Sequence, residues 1–96
     1  MGEDGHTASL FPDAPELQGA LSEPQPGYVI TRPSAAPHAR ITLNLAALLA
    51  TERVFLSVSG AAKAEVLERA LQGPVPSLPV SLVLSRHRHG LDVFKT

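Results

Sequence analysis

The order of elements along the chain predicts an α/β fold with a parallel sheet. An alternating, partly β-branched run at Arg53–Ser59 precedes an amphipathic segment at Lys63–Leu71, and a second alternating run follows at Leu91–Phe94. Strand, helix and strand in that order favour a crossover connection and parallel pairing. Composition agrees: 44% of the 96 residues are apolar and 4% aromatic, which suffices for one small core of Leu, Val and Ala, or for part of a larger one. The net charge of −1 argues against a general nucleic-acid binder, which needs a basic excess. With no Cys in the chain, disulfide scaffolds, thiolate nucleophiles and cysteine zinc sites are excluded. No apolar run reaches the ~18 residues of a membrane span. Met1-Gly2-Glu3-Asp4 is acidic and lacks an apolar stretch, so no secretory leader and a cytoplasmic setting are expected.

Residues 1–39 hold Pro12, Pro15, Pro24, Pro26, Pro33 and Pro37, a spacing that long helices cannot cross. Short helical turns are expected near Thr7–Phe11 and Pro15–Leu21, and a short strand at Tyr28–Thr31. Arg40–Leu43 reads as an extended lead-in, and Asn44 as the N-cap of a helix over Leu45–Ala50. Arg53–Ser59 reads as a strand buried on both faces. In the next segment Val66, Leu67, Ala70 and Leu71 form an apolar stripe at helical spacing. Glu65 and Arg69 stand four apart on the other side, acid first, and Gly73-Pro74 ends the helix. Val80–Leu84 fits either helix or strand. Two clear strands and a weak one are few for a doubly wound sheet. The chain also opens on a loop motif with no strand before it. Both features point to the C-terminal part of a larger α/β domain.

Chemistry concentrates at the start, in Met1-Gly2-Glu3-Asp4-Gly5-His6-Thr7-Ala8-Ser9-Leu10-Phe11-Pro12. Gly2 and Gly5 permit backbone angles that other residues resist. His6 would open a short helix, whose N-terminal dipole disfavours imidazolium and suits a general base. Asp4 is a candidate to fix its tautomer. The same spacing also fits a glycine-rich turn with an idle surface histidine.

A second candidate is Ser57-Val58-Ser59-Gly60-Ala61-Ala62-Lys63, where a strand turns into a helix with a lysine in its first turn. Free N–H groups there, with Lys63, can hold a phosphate; an ordinary turn with a solvated lysine is the alternative. Arg40 can clamp a phosphate or carboxylate, or serve only a surface ion pair. Arg86-His87-Arg88-His89 is a poor zinc site for want of further ligands and is assigned to a solvated loop.

The stretch from Gly2 to Pro12 resembles the signature of the 6-phosphogluconolactonases, within the glucosamine-6-phosphate isomerase/6-phosphogluconolactonase superfamily. The likeness continues at Arg40–Leu45, Val54–Gly60 and Lys63–Leu67; Asp13–Pro37 carries no matching motif. Thr7-Ala8-Ser9-Leu10-Phe11-Pro12 after the Asp-Gly-His core points to the lactonase branch, not the sugar-phosphate deaminase/isomerases.

The resemblance implies a Rossmann-like three-layer α/β domain with a mostly parallel sheet. This chain would be its C-terminal portion, lacking the N-terminal half and that half's phosphate loop. It implies hydrolysis of 6-phospho-D-glucono-1,5-lactone in the pentose phosphate pathway, with no metal or organic cofactor. His6 matches the general base, with Asp4 beside it. Gly5, Arg40, Gly60 and Lys63 match substrate-binding positions, Lys63 and Arg40 for the phosphate. The expected partner is a phosphorylated sugar lactone, with self-association or a separate N-terminal half completing the site. Backbone N–H groups of the glycine-rich turn would stabilise the oxyanion. A truncated, non-catalytic fragment and a sugar-phosphate deaminase/isomerase are the alternatives.

Overall fold

The computed structural model describes residues 1–34, 38–87 and 90–96. The elements follow in the order α1 (Leu17–Ser22), β1 (Tyr28–Thr31), β2 (Arg40–Leu43), α2 (Leu45–Leu49), β3 (Val54–Val58), α3 (Ala61–Leu71), α4 (Pro79–Arg86) and β4 (Leu91–Lys95). The chain is α/β: β3 and β4 pair in parallel, Val54 opposite Leu91 and Val58 opposite Lys95. The crossover between them is α3 and α4. The Arg40–Leu43 lead-in is a full strand, antiparallel to β1, with Tyr28 opposite Leu43 and Thr31 opposite Arg40.

Asn44 caps α2 as its sequence position suggests. Its Oδ1 accepts from Ala47 N at 2.9 Å and from Gly27 N at 3.1 Å, and its Nδ2 donates to Gln25 O at 2.8 Å. One buried side chain therefore starts a helix and fixes the turn into β1. The ambiguous Val80–Leu84 run is helical. Pro79 stands in the first turn of α4, where a missing N–H costs nothing. Ser81 Oγ bonds back to Leu78 O and Val75 O, and this tightens the entry.

Three apolar clusters form the core. Leu56 and Val58 of β3 meet Leu67 and Ala70 of α3 and Val80 of α4. Leu10 joins Leu17 and Ala20 of α1. Leu45 of α2 meets Leu82 and Val83 of α4. Leu21 and Leu48 border both of the last two clusters and join them.

Several sequence expectations change. The Thr7–Phe11 helical turn does not form; Thr7 and Leu10 make an isolated antiparallel bridge around Ala8, whose φ is +50°. β3 is buried on one face only, because among the described residues the helices cover one side, and Phe55 is 64% exposed. Leu71, at the last turn of α3, projects past the core and is exposed, and Glu65 and Arg69 form no ion pair. His87 is buried, its Nε2 2.8 Å from Thr51 O, so the segment after α4 is anchored and not merely solvated. Arg88, His89 and Pro37 lie outside the described residues.

Candidate active site

The glycine-rich loop is held at both ends by tertiary contacts. Gly5 O accepts from Val80 N at 2.9 Å, an amide at the start of α4 that no helical partner reaches. Gly5 has φ +84°, and a Cβ there would meet Leu78; both facts demand glycine. Met1 packs on the cluster of Val58, Leu67 and Val80. Further on, Ser9 N donates to Thr42 Oγ1 at 3.0 Å, and Thr31 Oγ1 donates to Ser9 O at 2.9 Å. Thr31 and Thr42 are both buried. They share one face of the β1–β2 pair, and that face carries the loop.

Within this frame His6 and Asp4 form a tight pair. Asp4 Oδ1 accepts from His6 N at 3.0 Å and lies 2.6 Å from His6 Nδ1. Burial pushes the Asp4 carboxyl up, but the His6 amide and imidazole outweigh it, and the carboxyl sits below its ordinary value of 3.8. With Nδ1 on the carboxylate, the neutral imidazole presents Nε2 as the acceptor. The orienting partner is the one the sequence suggests. The helix dipole expected to act on His6 is absent, because no helix starts there.

Gly2 serves a different purpose from the backbone freedom expected of it. A Cβ on Gly2 would overlap His6 Cε1 and Nδ1 and approach Asp4 Oδ1 to 2.9 Å. Glycine makes the space in which the imidazole lies.

The expected oxyanion donors are largely engaged. Gly2 N donates to His6 O, Gly5 N to Gly2 O and His6 N to Asp4. An unspent donor belongs to Arg40, whose Nε is buried with no hydrogen-bond partner. Its guanidinium lies over the Phe11 ring, with Cζ 5.2 Å from the centroid. The same ring stacks on His6, centroids 4.2 Å apart. Arg40 and His6 therefore border one aromatic side chain.

Gly60 and Lys63 sit on the β3–α3 turn. Gly60 takes φ +95°, and no side chain caps α3, which leaves the first-turn amides open to an anion. Lys63 is half-buried, and its ammonium makes no hydrogen bond or ion pair among the described residues. It lies one helical turn before Leu67, which belongs to the cluster that Met1 packs against. Asp4, Gly5, His6 and Arg40 are gathered around one loop; Gly60 and Lys63 sit at the start of α3, and no hydrogen bond or ion pair among the described residues joins them to that loop. Phe11 and the two threonines are additions that sequence reasoning missed. A cleft of about 250 Å³ between α1 and α4, lined by Gln18, Leu21, Ser22, Pro76, Leu82 and Arg86, contains none of these residues. No helix among the described residues is long and apolar enough to cross a membrane.

Fold and site together define an α/β protein with a carboxylate-oriented histidine and an uncapped helix start able to take an anion. The chain belongs to the glucosamine-6-phosphate isomerases/6-phosphogluconolactonase family, whose model matches residues 1–93. It is similar to the 6-phosphogluconolactonase of Helicobacter pylori strain J99, 43% identical over 95 residues, which cover 98% of this chain and 40% of the relative. It is similar also to that of Neisseria meningitidis serogroup A, 41% identical over 98% of this chain and 41% of the relative. A crystal structure of a 6-phosphogluconolactonase from Shewanella baltica OS155 superposes with a TM-score of 0.91 at 41% identity, over 99% of this chain and 41% of that one. The chain spans about two fifths of the length of these relatives.

Proposed function

We propose that these residues carry the general-base side of a 6-phosphogluconolactone hydrolase site. The observation that carries the reading is the 2.6 Å pairing of His6 Nδ1 with Asp4 Oδ1, which leaves Nε2 as the ring's acceptor. In this mechanism Nε2 takes a proton from a water as its oxygen adds to the lactone carbonyl carbon. The tetrahedral intermediate then expels the ring oxygen, which takes the proton back from the imidazolium, and 6-phosphogluconate results. Asp4 orients the ring throughout. Lys63 and the open amides after Gly60 hold the 6-phosphate, with Arg40 as second cation. The relatives' name, 6-phosphogluconolactonase, supports the substrate. A cytoplasmic setting and a place as the C-terminal part of a longer domain belong to the same proposal.

The test compares hydrolysis of fresh 6-phosphogluconolactone, above its spontaneous rate, by the parent chain, His6→Ala and Lys63→Ala. The proposal predicts loss of turnover in His6→Ala and a raised KM in Lys63→Ala. Equal rates for parent and His6→Ala would overturn it. A second reading, a non-catalytic partial domain, is favoured by the exposed Phe55 and Phe94 on the outer face of β3–β4. A parent chain that never exceeds the spontaneous rate would support that reading.

A further inference from the structure

Phe11 is buried to 4% exposure, yet it joins none of the three aliphatic clusters among the described residues. Its ring instead meets the two polar groups of the site, His6 at 4.2 Å between centroids with 30° between planes, and Arg40 at 5.2 Å. We infer that Phe11 is a positioning residue, whose ring sets the His6 imidazole and the Arg40 guanidinium in one fixed relation. The inference rests on the lactonase reading for its substrate, but its geometry stands apart from it.

The arrangement is registered with the β1–β2 pair. Arg40 and Thr42 are two apart on β2 and so share a face. Thr42 holds Ser9 N, and two residues further along the loop Phe11 meets Arg40. The step of two in the strand is matched by a step of two in the loop. Leu10, fully buried between those loop positions, locks their spacing. Arg40 Nε is buried with no hydrogen-bond partner, and the ring face beside the guanidinium offsets that local desolvation. The guanidinium then keeps donors free for an anionic substrate. An aliphatic side chain at position 11 fills space but offers no quadrupole to the cation and no stacking plane to the imidazole.

The experiment uses Phe11→Leu and Phe11→Tyr in the whole chain, read by NMR and by binding of 6-phosphogluconate. In the parent, the His6 ring protons are shifted upfield by the Phe11 ring current. Phe11→Leu is expected to abolish that shift and weaken binding by about tenfold. Phe11→Tyr is expected to restore both. Arg40→Gln is expected to weaken binding similarly, and Phe11→Leu with Arg40→Gln no more than either alone, because one arrangement is lost in each case. The methyl signals of Leu56, Val58 and Val80 report whether Phe11→Leu remains folded. A folded Phe11→Leu that keeps the His6 shift overturns the inference, as does Phe11→Tyr failing to restore it. If the parent binds no 6-phosphogluconate, the substrate reading fails, and the ring-current shift with its rescue by tyrosine still decides the role of Phe11.

Discussion

Replacing Gly2 by Ala adds one methyl group and should dismantle the Asp4–His6 pair. The new Cβ would overlap His6 Cε1 and Nδ1 and come to 2.9 Å from Asp4 Oδ1. The imidazole must move off, and with it go the 2.6 Å pairing and the stack on Phe11. A hydrogen bond to a charged group contributes about 1.5–3 kcal/mol when shielded. Here the His6 and Asp4 side chains are 30% and 38% exposed, so water and ions reclaim much of that, and about 1 kcal/mol of stability is at stake. For a chain of 96 residues this corresponds to a Tm lower by about 4–8 °C. If His6 is the base proposed above, the effect on rate is much larger, about a hundredfold or more, because its orientation is lost. Thermal unfolding, lactone hydrolysis and the His6 imidazole signals should therefore separate: small, large and large. Unmoved His6 signals in Gly2→Ala, with the parent rate, would refute the claim that Gly2 makes room for the ring.

Further outcomes follow from the same geometry. Thr42→Val leaves Ser9 N–H unpaired in a part-buried place and should cost about 1–3 kcal/mol, checked by denaturant unfolding, with weaker 6-phosphogluconate binding as the loop loosens. The Asp4 carboxyl is lower in the folded chain than its ordinary 3.8, so its contribution is complete above that value and is lost as pH falls through the folded value. Asp4→Asn should accordingly flatten the stability profile in that acid range, read by denaturant unfolding across pH. Phe55 and Phe94 lie on the bare face of β3–β4, rings 6.2 Å apart. Phe55→Lys with Phe94→Glu should lower self-association in a sedimentation run and leave Tm within a few degrees; unchanged association would remove that face from consideration.

The legible parts of the molecule were those written in local sequence. Asn44 capped α2 because an Asn before an apolar run needs only neighbours a few residues away. The Asp4–His6 pairing was within reach of sequence because the two are separated by one glycine. The Thr7–Phe11 segment misled, since its backbone answers to Thr31 and Thr42, 22 and 33 residues from Ser9, and such contacts leave no periodic trace. Phe11 carries no signal of its own, since nothing local says that its ring faces an imidazole and a guanidinium. Gly2 suggested backbone freedom because glycine carries the same letter whether it supplies an angle or a space. Phe55 and Leu71 fitted buried patterns, but pattern reports where an element wants cover and not whether these 96 residues supply it.

The central claim is that Asp4 holds His6 by Nδ1, so that Nε2 is the atom that accepts a proton from water. Nitrogen-15 NMR of the His6 ring in its neutral form tests it most directly. The account predicts a protonated Nδ1, an unprotonated Nε2, and loss of that preference in Asp4→Asn. A neutral ring protonated on Nε2, or one whose tautomer ignores Asp4→Asn, would contradict it.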